Sequence, residues 1–347
     1  MKAAILENKG VMSVKDVPTP TPQPGNVILK VKAVSICGSD ISRYVKGHRT
    51  YNLILGHECA GVITAVGDGV SENLIGRPAA MIPLVPCFEC EQCKAGRYSA
   101  CHTYSFIGSR RSGGFAEYVE MPEVNAFMLP ADLSFEAAAL IEPSTVARHI
   151  LDLGGFEAGQ SAVVFGAGSI GLMAVQWLRI LGAKLIICTD VVDENLATAR
   201  KLGAHVTLNP TRDDVPAEVK KLIVDGVDVA LECSGSPQAL AQTIQVTRPR
   251  GNIVCGGNQP LDAALPMSFI EDLMRKEQRL NGCFMSYSAP FPGHEWTETV
   301  ARIQDGQLDM DTMISHRYPL TAATQVFADI GARRIAYRKI ILQPETN

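Results

Sequence analysis

The feature that most constrains the fold is an uncharged run from Ser161 to Leu178, SAVVFGAGSIGLMAVQWL. Its middle contains the pattern G-x-G-x-x-G, formed by Gly166, Gly168 and Gly171. The run has 18 residues, which is the lower limit of length for a membrane-spanning helix. However, an apolar strand before the glycines and an apolar helix after them are typical of a buried strand–turn–helix unit. The pattern therefore predicts such a unit rather than a membrane span.

Strands and helices continue to alternate to about residue 285. The predicted strands are KLIICTD, HVTLN, VDVALECSG and GNIVCGG, and ENLATARKLGA between the first two is a predicted helix. Alternation of this kind predicts βαβ units and a parallel sheet.

The glycine pattern also predicts a dinucleotide site at the N-terminus of the following helix. Asp190 ends the next predicted strand, 19 residues after Gly171. An acidic side chain there accepts hydrogen bonds from a ribose diol and repels a 2′-phosphate, so NAD is predicted rather than NADP. The predicted cofactor-binding residues are Gly166, Gly168, Ser169, Ile170, Gly171 and Asp190.

The segments on either side of this region have a different pattern of residues, which is typical of β-strands. Residues 27–36 (VILKVKAVSI) and 60–67 (AGVITAVG) have the β-branched residues of strands, and the tail contains a predicted helix, QVFADIGARR, before a predicted strand, KIILQP. We therefore predict one β-rich domain made of residues 1–150 and 286–347, interrupted by a nucleotide-binding domain at 151–285.

Composition excludes several classes of protein. The chain has 347 residues, 46% of them apolar and 20% charged, as in ordinary globular proteins. Its net charge of −4 lacks the basic excess of a nucleic-acid binder. The N-terminus, MKAAILENKG, has no signal-peptide pattern. We therefore expect a cytoplasmic protein with no membrane and no nucleic acid as partners.

Four of the ten cysteines lie in one polar segment, residues 85–104. Cys87, Cys90, Cys93 and Cys101 follow the pattern C-x2-C-x2-C-x7-C. Cytosolic thiols stay reduced, and four thiolates so close in sequence can close a tetrahedral zinc site that has no open position. The spacing predicts a structural zinc lobe, and disulfides or unliganded thiols are the alternatives.

A second set of metal-ligating residue types is dispersed along the chain. Cys37 occurs in CGSD, His57 and Glu58 in GHE, and Glu142 in IEP. Zinc accepts all three of these side-chain types. Each residue alone also fits an ordinary core or surface position, so the case depends on the set as a whole.

Together, CGSD, GHE, the cysteine lobe, IEP, GAGSIG and Asp190 resemble the zinc-dependent medium-chain dehydrogenase/reductase family. Glu142 stands where liver-type alcohol dehydrogenases have a cysteine, which resembles the sorbitol-type polyol branch. Residues 107–118 and 286–296 further resemble dehydrogenases of sugar-alcohol phosphates. The resemblance implies an α/β fold, with a doubly wound parallel Rossmann domain inserted in a β-rich GroES-like catalytic domain. It also implies a homodimer or homotetramer.

The resemblance implies an enzyme with two zinc ions per chain and NAD as cofactor. Cys37, His57, and Glu142 or Glu58 would hold the catalytic zinc, which activates a secondary alcohol for hydride transfer to NAD. Ser39 resembles the relay hydroxyl that accepts the alcohol proton, although it also fits an ordinary turn serine. Asp40 would orient His57. Liver-type enzymes have a histidine near the position of Ser42, so the outward proton path differs here.

Substrate-binding residues are less defined by the sequence. Arg43 and His48 lie between the first two ligand motifs, Arg110 and Arg111 follow the cysteine lobe, and Tyr287 with Trp296 could stack on a sugar. Paired guanidinium groups suit a phosphate, while a solvated basic face is the alternative. The candidate substrates are therefore a polyol phosphate, a free polyol such as sorbitol, xylitol, arabitol or galactitol, or a sugar acid. An NAD-binding redox sensor is the non-catalytic alternative.

Overall fold

The computed structural model describes residues 1–260 and 262–344. The chain divides into two units. The first contains Met1–Glu142, Ser288–Gln304 and the chain from Met310 onward, and the second contains Pro143–Tyr287 and Asp305–Asp309. The domain boundaries expected from the sequence, 150/151 and 285/286, stay a prediction. Residues 261 and 345–347, which fall within the predicted domains, lie outside the described residues.

From the N-terminus the chain forms mainly short strands. They are β1 (Lys2–Asn8), β2 (Val11–Asp16), β3 (Asn26–Ser35), β4 (Leu53–Ile54), β5 (Glu58–Val66), β6 (Pro78–Met81), β7 (Leu84–Val85), β8 (Ser105–Phe106), β9 (Tyr118–Pro122) and β10 (Ala126–Met128). The α-helices of this segment are α1 (Gly38–Lys46), α2 (Glu91–Lys94), α3 (Phe135–Ala139) and α4 (Ile141–Leu153), and short 3-10 helices cover Glu72–Leu74, Tyr98–Ala100 and Glu123–Asn125.

The middle of the chain alternates strands and helices. The strands are β11 (Ser161–Phe165), β12 (Leu185–Thr189), β13 (Val206–Leu208), β14 (Val227–Glu232), β15 (Thr247–Cys255) and β16 (Arg279–Gly282), and the helices are α5 (Ser169–Ile180), α6 (Asp193–Leu202), α7 (Val215–Leu222), α8 (Pro237–Val246) and α9 (Ser268–Arg275). The chain then continues through α10 (His294–Gln304), α11 (Met310–Met313), β17 (Ile314–Pro319), a 3-10 helix (Leu320–Ala322), α12 (Ala323–Gly331) and β18 (Lys339–Gln343).

In the second unit the strands form one parallel sheet in the order β13-β12-β11-β14-β15-β16. Counted along the chain from β11, this order is 3-2-1-4-5-6, the arrangement of a doubly wound dinucleotide-binding sheet. The uncharged run that begins at Ser161 is divided between β11 and α5. The predicted fold class is therefore confirmed, and in the described residues no helix has both the length and the apolar character of a membrane span.

One half-buried carboxylate ties three strands of this sheet together. Asp228 accepts hydrogen bonds from the backbone nitrogen and hydroxyl of Ser161 at 2.8 and 2.7 Å, and from Arg248 Nε at 2.8 Å. Burial raises the pKa of Asp228, but these hydrogen bonds outweigh burial and lower the pKa below its ordinary value. The ionised carboxylate therefore stabilises the folded state.

In the first unit β3 lies at the centre of a seven-stranded sheet, with the order β10-β6-β5-β3-β18-β17 and β9 paired to β3. The beginning of β3 pairs with β9, while its end pairs with β18, where Ser35 lies opposite Ile341. On its other edge β3 pairs antiparallel with β5, which sets Ser35 opposite Glu58. The ends of β3, β5 and β18 therefore meet, and this junction carries the candidate catalytic residues.

Candidate active site

Cys37 lies at the turn that joins β3 to α1. It is the N-cap residue of the helix, with extended backbone angles, and its Sγ accepts a hydrogen bond from Ser39 N at 3.5 Å. Asp40, in the first helical turn, accepts from Cys37 N at 3.2 Å. This reciprocal capping satisfies donors at the start of the helix and holds the thiol in place.

His57 lies just before β5, and it faces Asp40. Its Nδ1 is 3.5 Å from Asp40 Oδ1, and both side chains are buried. The ring also packs edge-on against Phe106, with centroids 5.5 Å apart. Burial lowers the pKa of His57, but the charges of Asp40 and Cys37 outweigh it and raise that pKa well above its usual value. A carboxylate at Nδ1 leaves Nε2 as the ring atom available to a metal.

Glu58 begins β5 and has a buried counter-ion that the sequence did not indicate. Lys339 Nζ donates to its two carboxylate oxygens at 2.7 and 2.6 Å, and Ser35 Oγ also donates to it. Lys339 is only 2% exposed and Glu58 1%. The pair forms because β18 lies beside the end of β3, a pairing between residues far apart in the chain.

Cys37, His57 and Glu58 each place one ligand atom within 4.8 Å of the others. Glu142, in the first turn of α4, is close enough for its pKa to be affected by this cluster. Burial raises the pKa of Glu142 to about 7, with His57 acting in the opposite direction and Glu58 in the same one. A thiolate, an imidazole and a carboxylate are a donor set that suits zinc.

The four lobe cysteines also converge. Their Sγ atoms lie within 4.8 Å of one another, with Cys87 Sγ at 3.5 Å from Cys101 Sγ and 3.9 Å from Cys93 Sγ. Zinc–sulfur bonds of about 2.3 Å in a tetrahedron require sulfur atoms roughly 3.8 Å apart. Backbone hydrogen bonds, led by Cys90, lower the pKa of Cys87 to about 6. The lobe thus fits a tetrahedral zinc ion.

The glycine turn after β11 leaves a cradle for a phosphate group. Gly166 has φ +95°, and a Cβ at Gly171 would lie 1.8 Å from the Gly166 oxygen, so neither position accepts a side chain. A Cβ at Gly168, the N-cap of α5, would meet nothing within 4 Å. That open space at a helix N-terminus fits a pyrophosphate.

Asp190 follows β12 on the wall of the same cavity, which has a volume of about 680 Å³. Its carboxylate accepts hydrogen bonds from Ala167 N at 2.7 Å and from Val192 N at 2.8 Å. Gly166 and Gly168 also line the cavity, and its lining within the described residues contains no lysine or arginine. Ser169 and Ile170 begin α5.

Two family models match the chain: an alcohol dehydrogenase GroES-like domain at residues 23–131 and a zinc-binding dehydrogenase at residues 169–305. The chain is 35% identical to galactitol 1-phosphate 5-dehydrogenase of Escherichia coli, over 99% of this chain and 100% of that protein. It belongs to the zinc-binding alcohol dehydrogenase family. This dehydrogenase is therefore an oxidoreductase. The family that its sequence motifs predict is confirmed.

Similarity to polyol dehydrogenases extends further. Sorbitol dehydrogenase of Bacillus subtilis is 35% identical over 92% of this chain and 90% of its own length. The crystal structure of galactitol-1-phosphate dehydrogenase from Escherichia coli matches with a TM-score of 0.95 and 34% identity, over 99% of this chain and 100% of that one. These relatives are named as dehydrogenases of a sugar-alcohol phosphate and of a sugar alcohol.

The predicted substrate residues of this dehydrogenase do not form one group. Arg43 donates to Ser39 Oγ, next to the candidate catalytic cluster of Cys37, His57 and Glu58. Arg110 is exposed, lies over the Tyr104 ring at 3.8 Å and donates to the Tyr104 carbonyl. Arg111 instead lines a separate depression of about 540 Å³ beside the N-terminus. The arginine pair therefore diverges.

The remaining candidates are placed as follows. The His48 ring bonds to the backbone of Thr50 in its own loop. Tyr287 and Trp296 are buried, at 3% and 0% exposure, and the Trp296 ring packs against Phe127 with centroids 5.5 Å apart. Their predicted roles in substrate binding stay predictions.

Proposed function

We propose that this protein is a zinc-dependent dehydrogenase that uses NAD to oxidise a secondary hydroxyl of a sugar-alcohol phosphate to a ketose phosphate. This is the class of substrate in the name of galactitol 1-phosphate 5-dehydrogenase of Escherichia coli. The observation that carries the proposal is the convergence of Cys37, His57 and Glu58 beside Glu142, in a chain 35% identical over nearly its full length to that enzyme.

We propose two zinc ions per chain, one held by the four lobe cysteines and one by the catalytic cluster. Glu58 is supported as a ligand because its carboxylate lies within 4.8 Å of the ligand atoms of Cys37 and His57, and Glu142, whose pKa responds to His57 and Glu58, is the second carboxylate of the proposed site. When bound there, zinc polarises a substrate oxygen and lowers the pKa of the hydroxyl. Asp40 holds the His57 ring, and Lys339 balances the charge of Glu58.

The residues of the chain supply the proton transfer in this proposal. Ser39 lies next to the Cys37 thiol, since its backbone nitrogen donates to that sulfur at 3.5 Å. Ser39 accepts the proton of the substrate hydroxyl as its own proton leaves to water. Oxidised NAD, when bound, would accept the hydride from the same carbon, which would become a carbonyl carbon.

We propose NAD rather than NADP as the oxidant. Asp190 places a carboxylate on the wall of the predicted cofactor cavity, and no cation among the described lining residues would offset a 2′-phosphate. A phosphate there would meet an uncompensated negative charge.

A free polyol is a second candidate substrate, and one observation favours it. The divergence of Arg110 and Arg111 removes the guanidinium pair that was expected to bind a phosphate. The similarity to sorbitol dehydrogenase of Bacillus subtilis, also 35% identical, agrees with this candidate.

Initial rates of NADH formation with galactitol 1-phosphate and with galactitol, side by side, test the proposal. The wild type, Arg110→Ala and the matched exposed control Arg97→Ala would be compared, with NADP as a second acceptor. We expect the phosphate ester and NAD to be preferred, and both variants to retain turnover. Equal or better turnover of free galactitol would refute the phosphate assignment, and equal use of NADP would refute the role of Asp190.

We also propose that two copies of the chain associate through β16. Among the described strands, β16 pairs with β15 alone and forms the edge of the parallel sheet. Nearby apolar side chains are exposed, including Met267 at 79%, Met274 at 64% and Phe284 at 71%. An apolar sheet edge of this kind favours pairing with a second strand. Light scattering would give the mass of a dimer or tetramer, and Phe284→Asp would reduce it; a wild-type monomer would refute the proposal.

A further inference from the structure

Arg43 lies next to the candidate catalytic cluster, and its guanidinium group is already engaged there. Its Nη1 donates to Ser39 Oγ at 2.8 Å and lies 3.4 Å from Asp40 Oδ1. The Arg43 side chain is 22% exposed, so most of its surface is covered. It lies on α1, a helix made largely of polar residues. The contacts follow from helical spacing, because residues three and four positions apart lie on the same face.

The chemistry of arginine limits what this contact can do. A guanidinium group donates hydrogen bonds and accepts none. Ser39 Oγ is therefore the acceptor in its bond to Arg43. The hydroxyl proton of Ser39 must point elsewhere, and one lone pair of Oγ remains for a second donor.

The position of Ser42 makes this contact important. The resemblance to liver-type enzymes implies a histidine near the position of Ser42 that passes on the proton of the relay hydroxyl, and this chain has a serine there. Arg43, one residue later, can orient the hydroxyl but cannot accept a proton. The chain thus separates two tasks that a histidine would combine.

We propose that Arg43 is a positioning residue, which holds the Ser39 hydroxyl in the orientation that receives the substrate proton. This inference rests on the proposed function. The substrate O–H bond breaks as a new O–H bond forms at Ser39 Oγ, and the original Ser39 proton leaves to a water molecule rather than to a side-chain base. The carbon-bound hydride reduces NAD in the same turnover.

A second role for Arg43 gives opposite kinetic results. If the guanidinium group bound the phosphate of the substrate, its loss would raise KM for the phosphate ester and leave kcat unchanged. A group that positions Ser39 acts on kcat, and it acts equally on phosphorylated and free polyols. The Ser39–Arg43 bond at 2.8 Å favours the positioning role.

The test compares wild type, Arg43→Met, Arg43→Lys and the control Lys46→Met, an exposed cation on the same helix. The zinc content and Tm of each variant are first measured and shown to equal those of the wild type. Each variant is then assayed, in light and in heavy water, with every polyol that the wild type oxidises. We expect Arg43→Met to lower kcat by about 10- to 100-fold, the size of a partly lost proton-transfer contribution. KM should change little, the solvent isotope effect should increase, and Arg43→Lys should restore part of kcat.

A double-mutant cycle with Ser39→Ala completes the test. In that background Arg43→Met should lower kcat by less than about 2-fold, because the two residues act as one unit. A full additional loss, or a KM increase confined to phosphate esters, would overturn the inference. If the wild type oxidises only free polyols, the proposed phosphate substrate fails while the Arg43 comparison still stands. If it oxidises no alcohol at all, both proposals are refuted.

Discussion

The buried ion pair between Lys339 and Glu58 leads to a quantitative prediction. The ammonium group contacts both carboxylate oxygens at 2.7 and 2.6 Å, and the two side chains are 2% and 0% exposed. Replacing Lys339 by methionine keeps an unbranched side chain of similar length but leaves a buried carboxylate without its counter-ion. Removing one partner of such a buried pair lowers the free energy of unfolding by about 3–5 kcal/mol.

Urea unfolding followed by circular dichroism would measure this loss. We expect Lys339→Met to be about 3–5 kcal/mol less stable than the wild type, and the double variant Lys339→Met/Glu58→Gln to recover at least about 2 kcal/mol, because no charge is then left buried. The loss should be larger after zinc is chelated, since a zinc ion beside Glu58 would otherwise offset its charge. Arg275→Met is the control, because it breaks an exposed pair with Glu271 and should cost less than about 1 kcal/mol.

Two results would refute this reasoning. A loss under about 1 kcal/mol for Lys339→Met would mean that Glu58 does not depend on its partner. If the effects of Lys339→Met and Glu58→Gln on the free energy of unfolding were strictly additive, the two side chains would not be energetically coupled.

Three further predictions concern other parts of the chain. Cys93→Ser should lower bound zinc from two ions per chain to one, as measured by elemental analysis. Cys188→Ala is the control and should leave the zinc content unchanged, because Cys188 is buried and belongs to neither cysteine-containing cluster. Gly168→Ala should fold normally but bind NADH more weakly in a fluorescence titration, while Gly171→Ala should lower Tm, because only the latter Cβ would overlap a backbone oxygen. Asp228→Asn should lower the free energy of unfolding by about 1.5–3 kcal/mol at neutral pH. Since the pKa of Asp228 is lowered in the folded state, the difference in stability between variant and wild type should shrink as pH falls through that pKa. An equal loss at neutral and strongly acidic pH would contradict this last assignment.

The sequence predicts those parts of the site that depend on local spacing. Gly166 lies in the turn after β11 and Gly171 in the first turn of α5, so the fold class and the cradle follow from a short pattern. The four lobe cysteines likewise occupy one loop, and their convergence needs no long-range pairing. Local sequence and structure agree at these positions because the same short segment determines both.

Contacts between distant segments are not evident from the sequence. Lys339 reaches Glu58 only because β18 pairs with the end of β3, and the sole sequence signal is a charged residue at the start of an apolar strand. Arg110 and Arg111 are adjacent in sequence, which indicated a guanidinium pair. Their side chains diverge because Arg110 stacks on Tyr104 while Arg111 lines the depression beside the N-terminus, and the tight turn that contains both residues separates the two directions.

The most direct test of the central claim is NADH formation with a panel of polyols and polyol phosphates, before chelation, after chelation and after zinc is restored. We expect turnover of at least one polyol, its loss when zinc is removed, and its recovery when zinc is added back. Tight NAD binding with no turnover of any alcohol, or turnover that persists in the zinc-free protein, would contradict the proposed function.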